Sequence, residues 1–196
     1  MSSSNDVLLA LHYQNDVLHP LGRIRVGLND ETTRTNLVVA AGRLLALARA
    51  RAWTIVHVRI AFRPDYEDLP RNMPIFQSVR EIGAVQDGQW GAEFFEPLSP
   101  RPTEFIVKHT SISAFCGTPL DSLLRMVDAD RVHVAGVATH SVVESTVRDA
   151  ADRGFNVVVV TDACAAARRV THDAAIASMA LMAEITTVGK LAEGNP

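Results

Sequence analysis

The stretch VHVAGVATHSVVESTVRDAADRGFNVVVV, residues 132–160, decides the reading of the fold. Val132 to Gly136 is a short apolar run of strand length. A helix is predicted from about His140 to Arg153, and Gly154 follows it as a residue that ends a helix in the left-handed conformation at no steric cost. Val157 to Val160 is an unbroken run of valine. Strand, helix and strand in this order make a parallel βαβ unit. Strands that are apolar at successive positions, not alternate ones, suit a sheet covered on both faces.

Working outward, the same alternation continues. Val7 to Leu11 (VLLAL) reads as a strand, Glu31 to about Ala52 as an amphipathic helix with Leu37, Leu44, Leu45 and Ala48 near helical spacing, and Trp53 to Val58 as a second strand. Phe105 to Val107 is a third strand. After Val160 come a helix over about His172 to Ala183 and a last short strand, Ile185 to Val188. The expected fold class is therefore α/β: one three-layer α/β/α domain over residues 1–196 with a mostly parallel, Rossmann-like sheet of six strands. Residues 61–100, with Pro64, Pro70, Pro74, Pro97 and Pro100, are the least regular part and read as a long excursion over the site. In such sheets ligands bind at the carboxyl ends of the strands, which directs attention to His12, Lys108 and Val137 to Val142.

Composition limits the choices. The 196 residues are 47% hydrophobic and 21% charged, with a net charge of −3 and no basic cluster, so nucleic acid is not an expected partner. No apolar run reaches membrane-spanning length. The N-terminal MSSSND lacks the pattern of a signal peptide, and the two cysteines, Cys116 and Cys164, form no CxxC pair. A cytoplasmic location is expected, with no cofactor and no metal. His57 lies within a strand, and the loop after that strand holds no D-x-H or H-x-H pattern.

Three blocks carry a recognisable pattern: LLALHYQND (Leu8 to Asp16), VKHTSISAFCGTPLDSLL (Val107 to Leu124) and VAGVATHSVVESTVRDAADRGFNVVVVTDACAA (Val134 to Ala166). Together with GQWGAEF (Gly88 to Phe94) they resemble the isochorismatase-like, or cysteine hydrolase, family over nearly the whole chain. The resemblance implies a site built from an Asp after the first strand, a Lys after the third and a Cys at the start of the helix after the fourth. The thiolate attacks a carbonyl, and amides of the segment matching Gly136 to Thr139, which contains a cis peptide in the family, hold the oxyanion. Two of these positions differ here. His12 stands where the family has Asp, and Val142 stands where it has Cys. Lys108 is matched to the family Lys.

The site residues implied are thus His12 and Lys108 as catalytic groups and the backbone at Ala138, Thr139 and Val142 as oxyanion donors. Tyr13, Trp90, Phe115, His140 and Ser141 are candidates for the pocket wall. Ser141 adjoins the lost Cys position, but one step along a helix turns a side chain by ~100° away from the old target. Thr139 suits a helix cap, and Cys116 and Cys164 suit packing.

Two classes of function stay open. One is a hydrolase without cysteine, in which His12 activates water toward a small carbonyl, amide or imide substrate and Lys108 holds its oxyanion or carboxylate. The other is a catalytically dead member that binds a small anionic ligand or a protein partner. A third reading, an enol ether hydrolase with His12 as proton donor, conflicts with the low pKa expected of a buried imidazole beside a lysine. The family resemblance also implies a homo-oligomer.

Overall fold

A computed structural model describes residues 5–24 and 30–194. Its strands and helices run in chain order β1 (Asp6–Leu11), α1 (Asn15–Leu18), α2 (Glu31–Ala50), β2 (Thr54–Ile60), α3 (Pro74–Glu81), β3 (Phe105–His109), α4 (Leu120–Met126), β4 (Arg131–Val137), α5 (Glu144–Asp152), β5 (Asn156–Ala165), α6 (Arg169–Met179), β6 (Glu184–Thr186) and α7 (Val188–Ala192). The six strands form one sheet in the order β3-β2-β1-β4-β5-β6, with every pair parallel. Helices cover both faces, α2 and α7 packing on each other and α5 on α6. This is the expected three-layer α/β fold. Among the described residues no helix is long and apolar enough to cross a membrane.

The strands are apolar throughout because both faces are buried. Leu8, Leu9 and Leu11 of β1 and Val132, Val134 and Ala135 of β4 are inaccessible to solvent. Truncating such a leucine to alanine costs about 2–5 kcal/mol, lost burial plus the cavity left behind. The helix α2 begins at Asp30, whose carboxylate accepts from the Thr33 amide at 2.7 Å. That bond satisfies one of the donors left orphaned at a helix start. The predicted helix over His140 to Arg153 is divided. Residues Thr139–Val143 form a wider π-type turn, and the α-helix proper starts at Glu144.

The excursion after β2 holds a second apolar cluster of its own, including Phe62, Tyr66, Leu69, Phe76, Val79 and Val85. Three polar residues of the first motif tie it down. Gln14 donates to the Ile60 and Ala92 carbonyls and accepts from the Ile60 amide. Asn15 donates to the Trp90 carbonyl, and Asp16 accepts from the Arg23 and Val85 amides. All three are buried, where losing any partner leaves a polar group unpaired at about 1–3 kcal/mol. Gly91 packs so closely on the Asp16 carboxylate that no Cβ fits there. The motif QND is therefore a clamp that holds the excursion over the carboxyl ends of β1 and β2.

Candidate functional site

A cavity of about 310 Å³ opens at the carboxyl edge of the sheet. It is walled by the ends of β1, β2 and β4, the turn after β4, the Ser111–Ile112 segment after β3, and α3 of the excursion. Its position follows the rule for parallel sheets.

His12 lines this cavity just beyond β1. Its backbone φ is +57°, a conformation that side chains with a Cβ adopt rarely. The chain thus leaves the extended path of the strand at this residue, and the ring ends up buried. His12 Nε2 lies 2.5 Å from Nε2 of His109, the last residue of β3, and the two rings stack at a tilt of 36° with centroids 4.8 Å apart. His109 Nδ1 lies 3.2 Å from the Ser113 carbonyl. A carbonyl only accepts, so Nδ1 of His109 carries that ring's proton and its Nε2 offers a lone pair. His12 therefore lies between two acceptors, that lone pair and the Val137 carbonyl, and its neutral ring has one N–H to offer them.

Burial pushes the His12 pKa well below 6.5, and His109 adds to the effect. The Val137 backbone is the group that favours the protonated ring. Burial likewise lowers His109, to about 4, against the pull of the Ser113 carbonyl. Both rings are therefore neutral at pH 7.

Lys108 stands elsewhere. Along β3 the side chains alternate, with Val107 and His109 buried and Lys108 exposed on the other face. Its ammonium pairs with the Asp87 carboxylate at 2.8 Å, and Arg59 joins the same carboxylate at 3.0 Å. The expectation that Lys108 shares a cavity with His12 is corrected: the residue brought to the site is His109. The signal was available, since a strand that buries Val107 must turn residue 109, not residue 108, to the same side.

Of the backbone positions expected to receive an oxyanion, Ala138 and Val142 line the cavity. Thr139 does not. It is fully buried and its hydroxyl meets His172 Nδ1 at 2.9 Å, while Thr161 meets the other nitrogen of that ring at 3.1 Å. The turn after β4 is capped without a side chain, so Thr139 is not its cap either. The Val137–Ala138 peptide is cis, as the resemblance implied. Gly136 precedes it because any Cβ there would collide with the Leu11 backbone.

Of the expected wall residues only Ser141 lines the cavity, and among the described residues its hydroxyl makes no hydrogen bond to a histidine. Tyr13 is core: its hydroxyl donates to the Ala163 carbonyl at 2.7 Å. Trp90 is half exposed, edge-on to His19. Phe115 lies between Phe155 and the Arg153 guanidinium, and His140 is exposed. What sequence reading missed is the wall from the excursion: Ile75, Phe76, Ser78, Val79 and Ile82, with Arg23 and Ile24 beside them. No local pattern in residues 61–100 shows which side of α3 will face a strand end far away in sequence.

The whole arrangement matches a known protein family, the isochorismatase domain, over residues 6–190. The chain belongs to the isochorismatase family. An isochorismatase family protein from Desulfovibrio vulgaris superposes on it with a TM-score of 0.87 at 30% identity, covering 98% of each chain. A ureidoacrylate amidohydrolase of Methylorubrum extorquens is 25% identical over 169 residues, 80% of this chain and 68% of that one. A probable inactive nicotinamidase of Arabidopsis thaliana is 29% identical over 181 residues, 89% and 88% of the two chains. This isochorismatase-family chain thus resembles both a named hydrolase and a relative described as inactive.

Proposed function

We propose that this isochorismatase-family protein hydrolyses a small carbonyl compound, an amide or imide, by direct attack of water, with His12 as the base and no covalent intermediate on sulfur. One observation carries the reading: a buried imidazole, at the position matched to the family's Asp, lines an open cavity with a second imidazole 2.5 Å from it. His109 would do for His12 part of what a buried carboxylate does for the histidine of a serine hydrolase, orienting the ring. The His12 imidazole takes a proton from water as the oxygen bonds to the substrate carbonyl carbon. It returns that proton to the leaving nitrogen as the C–N bond breaks. The Val137 backbone favours the imidazolium formed between these steps. The backbone at Ala138 and Val142 in the cavity wall would receive the oxyanion.

Val142 supplies no nucleophile, so a family reaction through a thioester has no atom to form it. Proton donation from His12 to an enol ether is disfavoured, because burial keeps that ring neutral. A second reading, ligand binding without turnover, is favoured by the hydroxyl of Ser141, which has no base beside it, and by the likeness to an inactive relative.

The test is an assay of wild type and His12→Ala on a panel of small amides and imides, followed by ammonia or amine release across pH 4–9. Loss of a general base lowers turnover ~10²–10⁴-fold. Because a ring with a lowered pKa stays deprotonated through the neutral range, wild-type turnover is expected to be level from pH 6 to 8 and to fall in acid. Equal turnover and an equal pH profile in the variant would sink the hydrolase reading.

A further inference from the structure

The cavity's lining restricts what can occupy it. Eleven of the sixteen lining residues are hydrocarbon in character, and the other five are His12, Arg23, Ser78, Ser111 and Ser141. No carboxylate is among them. Among the described residues of the wall Arg23 is the one permanent cation, and it is exposed. Its backbone amide is fixed by the Asp16 carboxylate at 3.1 Å, and its guanidinium donates to the Gly83 carbonyl just beyond α3. Among the described residues no acidic side chain pairs with that guanidinium. An apolar cavity with one exposed guanidinium at its wall, in no ion pair with a described carboxylate, is complementary to a molecule with an apolar body and a single negative end.

We infer that the site takes a small carboxylate carrying a branched or aromatic hydrocarbon body. The carboxylate lies on Arg23 and the body lies against Ile75, Phe76, Val79 and Ile82. This deepens the proposal above and rests on its choice of cavity. A polar substrate such as a ureido acid is disfavoured. It would bury several donors and acceptors against a wall that offers few partners. The excursion is then the specificity element, since it supplies four of the eleven hydrocarbon residues of the wall, and the QND clamp sets where that part of the wall stands.

The experiment uses the intact protein and three probes of similar size: phenylacetate, its uncharged amide phenylacetamide, and the polar anion N-carbamoylglycine. Binding is measured by calorimetry at pH 7. Phenylacetate should bind most tightly and N-carbamoylglycine most weakly. Arg23→Gln should weaken phenylacetate about tenfold and leave phenylacetamide unchanged, and Arg23→Lys should restore part of the loss. Ile75 is partly exposed, so Ile75→Gln should fold, and it should weaken phenylacetate and phenylacetamide alike. Tighter binding of N-carbamoylglycine than of phenylacetate, or an Arg23→Gln effect of equal size on acid and amide, overturns the inference. So does the absence of binding by all three. The His12→Ala assay uses none of these probes, so a failure here leaves the hydrolase reading to its own test.

Discussion

At the carboxyl edge of the sheet His12 faces His109; toward the amino edge His133 faces Asp6 at 2.6 Å and His57 faces Glu104 at 2.9 Å. All four rings are buried, and burial lowers all four. The difference lies in the company. Asp6 and Glu104 pull their histidines back up, with His133 stacked on Trp53, centroids 4.1 Å apart, and His57 beside Arg49 and Phe94. Burial alone would raise the Glu104 carboxyl, but Arg49, the Arg101 amide and His57 together hold it at about 2. Among the described residues the His12–His109 pair has no carboxylate partner, and His12 itself lines a cavity. Glu104 and Trp53 border a second cavity whose lining includes neither His57 nor His133, and a histidine matched to a carboxylate in this way fastens the fold. A histidine that borders a cavity and is oriented by a neutral ring is available for chemistry.

The largest expected effect separates the two regions by activity. His12→Ala should cost ~10²–10⁴ in turnover, while His133→Ala should lower the melting temperature and leave kcat within about twofold, since it touches neither substrate nor His12. A parallel loss of kcat in His133→Ala would erase the distinction.

Acid should separate them next. A group whose folded pKa lies below its unfolded value contributes stability that is complete above the unfolded value and is lost as pH falls. Here the unfolded chain takes up protons that the buried rings refuse. For His109 the window runs from about 6.5 down to about 4, and about 3 kcal/mol is at stake. Denaturant unfolding at pH 7.5, 6 and 4.5 should show that decline. His109→Gln should flatten it more than His133→Gln, because Asp6 offsets part of the effect of burial on His133. Equal slopes in the two variants would contradict this account of the pair.

A smaller effect is expected from sulfur. Cys116 is exposed, while Cys164 is buried with its thiol pushed up to about 12 by burial. Alkylation should therefore modify Cys116 first and leave any hydrolytic activity intact. Complete inactivation without unfolding would place a nucleophile outside the cavity described. The smallest effect should follow Lys108→Ala. The Lys108–Asp87 pair is partly exposed, so its loss is expected to cost less than about 1 kcal/mol, with no change in turnover. A large loss of turnover would return Lys108 to the site.

The sequence by itself determined the parallel α/β sheet, because runs such as Val157 to Val160 are apolar at every position and only a sheet covered on both faces buries them all. It also determined the family, because its motifs lie in order along nearly the whole chain. Strand alternation favours His109 over Lys108 once Val107 is buried, but only the tertiary structure decided that His109 reaches His12. The hydrocarbon wall of α3, Arg23 at the cavity, and the departure of Tyr13 and Phe115 into the core depend on contacts between segments dozens of residues apart. Hydrophobic periodicity reports that a residue is buried, but not which distant strand end it is buried against.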